Sequence, residues 1–198
     1  GRFKGRKKID FLLIKTLKKY SFNIKTGINR KSYNILDIGS GSGENAIFLS
    51  KLQNQSQIIA CDLYQDGNIN LCNEIIKQNI KNINLYQGNV LELLDRLEEK
   101  FVFDEIWILF PDPWPKIRHH KRRLINTLFL KYISNFLKNS GKLMLATDSK
   151  SYIHSIITSI YETQKIFDWE NPQYQFWEYR YLNLPRTRFY NKSLKSLL

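Results

Sequence analysis

Read for its hydrophobic and polar spacing, the chain alternates between two patterns. Short apolar runs at Tyr33–Ile38 (YNILDI), Gln57–Cys61 (QIIAC), Ile83–Gln87, Asp104–Phe110 and Lys142–Thr147 (KLMLAT) predict five strands. Between and after them, apolar residues recur at helical spacing. This predicts helices over Asn45–Leu52, Ile69–Ile80, Leu91–Leu97, Lys121–Leu137 and Tyr152–Gln164. The fourth of these is long and carries Leu124, Leu128, Tyr132 and Phe136 on one face. Another helix is expected over Asp10–Tyr20 from Phe11, Ile14 and Leu17, followed by a polar loop at Asn23–Arg30. Strands alternating with helices predict an α/β fold: a mostly parallel central sheet with helices on both faces. After Ile166 the pattern breaks into short aromatic pieces, read as further strands. No repeat, low-complexity tract or linker divides the chain, so one domain is expected over residues 1–198, with a basic N-terminal arm at about Gly1–Lys8.

Composition narrows the class. The 198 residues are 42% hydrophobic and 14% aromatic, enough for a packed core. The 31 basic and 18 acidic side chains leave a net charge of +13. A field of that sign and size favours polyanions, nucleic acid or an anionic membrane surface. No stretch reaches the roughly 18–20 apolar residues of a membrane span. The run Phe11–Ile14 is too short for a signal-peptide core and is followed at once by a lysine. Cys61 and Cys72 make neither a disulfide framework nor a zinc pattern, and both fall in segments read as buried. They are expected to be core thiols in a reducing, cytoplasmic compartment. The sequence begins with Gly1 rather than Met, which leaves room for a trimmed N-terminus.

The first predicted strand ends in LDIGSGSGE, so Asp37, Gly39, Gly41 and Gly43 make the spacing DxGxGxG. Where a strand turns directly into a helix, outward-pointing N–H groups and glycine let a ligand come close. A dinucleotide fingerprint would need a third glycine where Glu44 stands. That departure, and the acid before the glycines, suit S-adenosylmethionine better than a nicotinamide cofactor, because its amine and sulfonium are cationic. Asp62 closes the second strand, where a carboxylate can accept from both ribose hydroxyls. Asn89, after the third strand, has two readings: a contact to the adenine, or an Asx turn or helix cap.

The segment Phe110–Leu124, FPDPWPKIRHHKRRL, follows the fourth strand. In open α/β sheets ligands bind beyond the carboxyl ends of the strands. Prolines on both sides of Asp112 stiffen its backbone and aim one carboxylate, which can accept from the N1–H and exocyclic amine of a guanine. Lys116, Arg118, Lys121, Arg122 and Arg123 come next, with His119 and His120 among them, a composition suited to phosphates. Read as the start of the long fourth helix, the run opposes the helix dipole, a placement that makes sense beside a polyanion. The adjacent histidines lack a third ligand nearby and make a poor metal site. His154 reads as a surface residue.

These residues resemble the bacterial tRNA (guanine-N7)-methyltransferases. The likeness runs from GRFKGRK to TRFYNKSLK and is carried by FPDPWPKIRHHKRRL and by ATDSKSY, Ala146–Tyr152. It implies a Rossmann-like class I methyltransferase that uses S-adenosylmethionine on a guanine of the tRNA variable loop. It implies that Asp37, Asp62, Asn89 and Asp112 contact the cofactor or line its pocket, and that Asp112 is also the catalytic acid. Lys116 and Asp148 match substrate-contacting positions, and Arg118, His119, His120, Lys121, Arg122 and Arg123 match the RNA-contacting run. Thr187 opens the family's T-x-F-E motif, which here ends in Tyr190 instead of glutamate, a departure at the last guanine contact.

Guanine N7 attacks with a lone pair and has no proton to lose, so the expected contributions are positioning and electrostatics, with no metal. Trp114, Trp177, Tyr179 and Tyr181 are candidates for stacking on a splayed base, with core packing the favoured alternative. The expected partner is tRNA, with no membrane, and the expected state is monomer or homodimer. Two other readings stay open: a catalytically weakened tRNA-binding protein, and a methyltransferase with another substrate.

Overall fold

The computed structural model of the chain describes residues 17–24, 28–29, 31–97 and 102–169. Its five strands are β1 (Asn34–Ile38), β2 (Gln57–Asp62), β3 (Ile83–Gln87), β4 (Phe103–Leu109) and β5 (Leu137–Ala146). All pair in parallel, in the order β3-β2-β1-β4-β5. The connections carry α1 (Glu44–Leu52), α2 (Gln65–Lys77), α3 (Val90–Asp95), a 3-10 helix (Ile117–Arg122) and α4 (Thr127–Ser134); α5 (Lys150–Glu162) follows β5.

Successive residues of a strand point to opposite faces, and here both faces are covered. Ile35, Ile58, Ala60 and Trp107 meet Ala46 and Leu49 of α1 and Leu71, Cys72 and Ile75 of α2. Leu36, Ile38, Ile59, Ile106 and Ile108 meet Leu93 of α3, Phe129 and Leu130 of α4, and Tyr152 and Ile156 of α5. Each fully buried Leu or Ile in these layers contributes about 1.5–3 kcal/mol. The expected α/β architecture and its parallel sheet are borne out, as is the burial of Cys61 and Cys72. Along the outer edge of β3, Ser21 bridges Leu85 and the Phe22 N–H donates to the Leu85 carbonyl at 2.6 Å. No helix among the described residues is long and apolar enough to cross a membrane. The predicted arm Gly1–Lys8, most of the helix predicted from Asp10, and the strands predicted in the last 29 residues lie outside the described residues.

Three element boundaries move for physical reasons. α2 starts at Gln65 rather than Ile69, because its first turn packs on the glycine loop through Gly67 and Asn68 instead of through apolar side chains. It ends at Lys77 as Asn79 takes a left-handed φ of 52° and the Ile80 N–H returns to the Ile75 carbonyl at 3.0 Å. β5 begins at Leu137 rather than Lys142. Leu137 pairs with Phe103, the register shifts, and pairing resumes at Lys142 with Glu105.

The largest correction is the helix predicted over Lys121–Leu137. Arg123 is extended, the Ile125 N–H donates to the Tyr152 hydroxyl at 2.8 Å, and Asn126 caps α4 by accepting from the Phe129 N–H at 3.0 Å. The helix is therefore confined to Thr127–Ser134. Its buried face is Phe129, Leu130 and Ile133, and Leu128 is 78% exposed. The cations precede α4 on a separate 3-10 helix, so the dipole argument does not apply to them.

Candidate active site

The strand order reverses between β1 and β4: the chain runs outward from β1 through β2 to β3, then crosses back to β4. A crevice is expected at the carboxyl ends of the strands flanking such a switch point. Asp37 is the fourth residue of β1 and the glycine loop follows that strand, while Asp112 follows β4, so they stand on its two sides. Asp62 closes β2, Asn89 follows β3 and Asp148 follows β5, all at the same end of the sheet.

The glycine loop is held from within. Gly39, Gly41 and Gly43 have φ of 74°, 55° and 82°, which side-chain-bearing residues rarely adopt. The Gly39 and Ser40 N–H groups donate to the Cys61 carbonyl at 2.8 and 3.3 Å, and the Gly43 N–H to the Ser40 carbonyl at 2.8 Å. The Gly41 N–H donates to Asp62 Oδ2 at 2.7 Å. Four N–H groups that the sequence suggested would face a ligand are thus engaged inside the protein. The loop offers close approach at Gly39 and Gly41, where an added Cβ meets nothing within 4 Å. Asp62 also accepts from the Tyr64 N–H through Oδ1 at 2.7 Å, so its carboxylate ties the loops after β1 and β2 together.

Asp37 is 2% exposed. Asn45, in the first turn of α1, donates to its Oδ1 at 3.0 Å. Asp37 Oδ2, Ser40 Oγ and Asn45 Oδ1 are buried without a hydrogen-bond partner. Burial raises the Asp37 carboxyl to about 7; the Asn45 amide opposes the rise and the nearby Asp62 charge adds to it. Cys61 is pushed up to about 12 by burial first and then by Asp62 and Asp37, which leaves an inert thiol.

Two residues essential to this arrangement had no signal in the pattern. Asn45 sits just past the glycines. Gly67 lies where a Cβ would come 2.3 Å from the Gly41 carbonyl oxygen. For Asn89 the structure gives the capping role: its Oδ1 accepts from the Leu91 N–H at 2.9 Å.

Beyond β4, Phe110 and Trp114 have φ of 51° and 44°, each immediately before a proline. Left-handed backbone of this kind costs of order 1–3 kcal/mol per residue and persists only where surroundings enforce it. Between them Asp112 is exposed, and its carboxylate makes no hydrogen bond or ion pair among the described residues. The 3-10 helix that follows has three residues per turn, so side chains three apart share a face. His119 and Arg122 both meet Trp114, the first edge-on with centroids 5.8 Å apart, the second over the ring at 4.9 Å. Trp114 therefore packs within its own loop. Lys116, Arg118 and Lys121 are exposed, as is Arg122. His120 turns inward, its Nε2 buried without a partner.

Arg123 departs from the predicted set. It is 4% exposed. Its Nε donates to the Pro113 carbonyl at 2.9 Å, Nη1 to the Ser151 carbonyl and Ser155 Oγ at 3.1 and 2.6 Å, and Nη2 to Ser151 Oγ at 2.9 Å. The guanidinium lies 4.9 Å over the Tyr152 ring. The sequence placed it among the RNA contacts; the fold buries it, because α5 supplies serines where the run meets the core. Tyr152 is held above its ordinary value by burial first; Arg123 and the Ile125 N–H oppose this, and the nearby Asp112 charge adds to it.

In ATDSKSY, Thr147 Oγ1 accepts from the Ser149 N–H at 3.2 Å, and Ser149 caps α5 by accepting from the Tyr152 N–H. Asp148 stands exposed between them. Thr187, Tyr190, Trp177, Tyr179 and Tyr181 lie outside the described residues.

Residues 31–181 match a family model described as "Putative methyltransferase". A tRNA (guanine-N(7)-)-methyltransferase of Wolbachia pipientis wMel is 34% identical over 81% of this chain and 74% of its own length. The chain belongs to the tRNA (guanine-N7)-methyltransferase family. A family member from Corynebacterium diphtheriae is 40% identical over 60% of the chain, and the chain spans 46% of that relative's length. The crystal structure titled precorrin-6y C5,15-methyltransferase, from Geobacter metallireducens GS-15, superposes with a TM-score of 0.54 at 18% identity, over 81% of this chain and 74% of that one. It bears out the Rossmann-like methyltransferase fold.

Proposed function

We propose that the protein transfers the methyl group of S-adenosylmethionine to N7 of a guanine in the tRNA variable loop, in the cytoplasm, with the single domain expected from the sequence. The observation that carries this reading is what stands on either side of the switch point: a glycine loop with carboxylates and four of its N–H groups spent internally, and a strained loop that presents Asp112 beside four exposed cations.

The residues present fit the cofactor. Its cationic amine needs acceptors, and Asp37 Oδ2 and Asn45 Oδ1 are buried acceptors without donors. It has no phosphate, and the loop spends the N–H groups of Gly39, Ser40, Gly41 and Gly43 internally. Asp62 can take ribose hydroxyls on lone pairs not used by Gly41 and Tyr64. When bound, S-adenosylmethionine supplies an electrophilic methyl group.

The remaining work falls to positioning and charge. No general base is needed for N7, which is why the loop can offer a carboxylate with no histidine partner. Asp112 and Asp148 hold the guanine edge by accepting from its N1–H and amine, and their charge favours the purine as it becomes cationic. Lys116, Arg118, Lys121 and Arg122 take the phosphates, with His119 and His120 in the same run; Thr187 and Tyr190, which stand at the family's last guanine-contact motif, lie outside the described residues.

The test is methyl transfer from labelled S-adenosylmethionine to tRNA lacking 7-methylguanosine, followed by nucleoside analysis. Labelled 7-methylguanosine supports the reading. Label in another nucleoside, turnover without tRNA, or tRNA binding with no transfer at all each reject it in favour of another substrate or of a binding protein.

A further inference from the structure

We propose that Arg123 is a positioning residue that locks the Asp112 loop onto the helix following Asp148, and not a contact to tRNA phosphate. The inference rests on the reading of Asp112 and Asp148 as the guanine-facing carboxylates.

The Arg123 side chain joins the loop ten residues before it to a helix that begins 27 residues after it. One donor goes to the carbonyl of Pro113, the residue directly after Asp112. Three more bonds go to Ser151 and Ser155, 28 and 32 residues further on in the first turns of α5. Its plane rests on Tyr152, whose hydroxyl in turn accepts from the Ile125 N–H. Both ends of the segment between the strained loop and α4 are thereby pinned to α5.

This supplies what the strain at Phe110 and Trp114 requires. Phe110 is held on the strand side, where its N–H extends the β4–β5 ladder by donating to the Ala146 carbonyl at 2.8 Å. The Pro113 carbonyl is held on the other side by Arg123 alone among the described residues. Three prolines give the segment stiffness, but stiffness does not set direction. The tether to α5 does, and α5 is capped by Ser149, the neighbour of Asp148. The same fork therefore sets the separation of the two carboxylates.

A phosphate contact would require Arg123 to leave four hydrogen bonds and a ring face, from a position only 4% exposed. Lysine could not replace it, since one ammonium on a flexible stem cannot reproduce a planar fork reaching three partners.

Two variants separate the roles. Arg123→Gln removes the charge, and Arg123→Lys keeps it while removing the fork. The expected result is a loss of about a hundredfold in kcat for both, the scale of a 1 Å misplacement, with KM for tRNA and for S-adenosylmethionine within about threefold of wild type. The slope of log K for tRNA against log salt stays at the wild-type value in Arg123→Gln, whereas Lys121→Ala lowers it by about one. Amide exchange measured by mass spectrometry over residues 112–124 accelerates in both variants, while exchange in α1 does not.

A reduced salt slope in Arg123→Gln would overturn the proposal in favour of a phosphate contact. Wild-type kcat in Arg123→Lys with only a lower Tm would reduce Arg123 to a structural role. Should Arg123→Gln fail to melt cooperatively, the double variant S151A/S155A takes its place. It keeps the arginine, removes two hydroxyl acceptors, and is expected to lose kcat by about tenfold with an unchanged salt slope; unchanged kcat there would also overturn the proposal. Absence of 7-methylguanosine formation by the wild type would sink the functional reading instead, and the slope and exchange comparisons would still decide where Arg123 points.

Discussion

Replacing Gly67 by alanine sets two effects of known size against each other. In a helix interior the change is worth up to about 1 kcal/mol in favour of folding. Against it stands the added methyl, which lies 2.3 Å from the Gly41 carbonyl oxygen and 2.8 Å from its carbon, about 1 Å short of ordinary contact. Neither side yields freely. The glycine loop is tied by the Gly39 and Gly41 N–H groups to Cys61 and Asp62, and the first turn of α2 by Asn68 Nδ2 to the Asp62 carbonyl at 3.0 Å. Overpacking of this kind costs about 1–3 kcal/mol. With the full gain of about 1 kcal/mol set against that cost, the net loss is at most about 2 kcal/mol, a fall in Tm of no more than roughly 8 °C. The local consequence is larger, because the Gly41 backbone must shift, and on the proposed reading that backbone faces the cofactor. Binding of S-adenosylhomocysteine by calorimetry should weaken at least tenfold, with Tm falling only a few degrees. Wild-type affinity together with a raised Tm would show that the loop adjusts at no cost, and would refute the claim that Gly67 sets its position.

Asp112→Asn should lower kcat by about a hundredfold or more, the scale of removing one electrostatic contact in a transition state. Because Asp112 is exposed and makes no hydrogen bond or ion pair among the described residues, Tm and tRNA affinity should stay at wild type; equal kcat would remove Asp112 from the mechanism. Lys121→Ala and Arg118→Ala should each weaken tRNA binding in low salt and reduce the salt slope by about one, so an unchanged slope would take that residue off the phosphate path. Asp37 gives a pH dependence of definite sign. Its carboxyl moves from an ordinary 3.8 to about 7 in the fold, so the folded, cofactor-free protein holds a proton that the unfolded chain releases. That contribution, roughly 4 kcal/mol, is complete below about pH 4 and fades as pH rises toward 7. The Tm of the cofactor-free protein should fall across this window, and Asp37→Asn should flatten the curve; parallel curves would contradict the assignment.

Residues that are neighbours in the chain were legible without coordinates. The apolar runs identify the five strands, since a buried parallel strand needs no partner to announce itself. The strand-turn-helix at Asp37–Gly43 was legible because left-handed backbone leaves glycine at fixed spacing. The prolines around Asp112 marked a stiffened loop for the same local reason.

Other features depended on partners far along the chain. Arg122 and Arg123 are adjacent and chemically identical, yet one lies exposed over Trp114 and the other is buried against Tyr152. Three-residue periodicity separates their faces, and the position of α5, set by β4–β5 pairing, decides which face is inside. The long helix predicted from Lys121 failed on the same ground, because Tyr152 takes the Ile125 N–H that a continuing helix would need. Gly67 carried no signal at all, since its requirement is the carbonyl of Gly41, brought close only when α2 packs on the loop. The sequence by itself determined the sheet, the glycine loop and the chemistry of each candidate side chain, because these follow from local backbone and side-chain preferences. Which of those side chains face a ligand and which hold the others in place was decided only by tertiary packing, because burial depends on what the rest of the fold puts alongside.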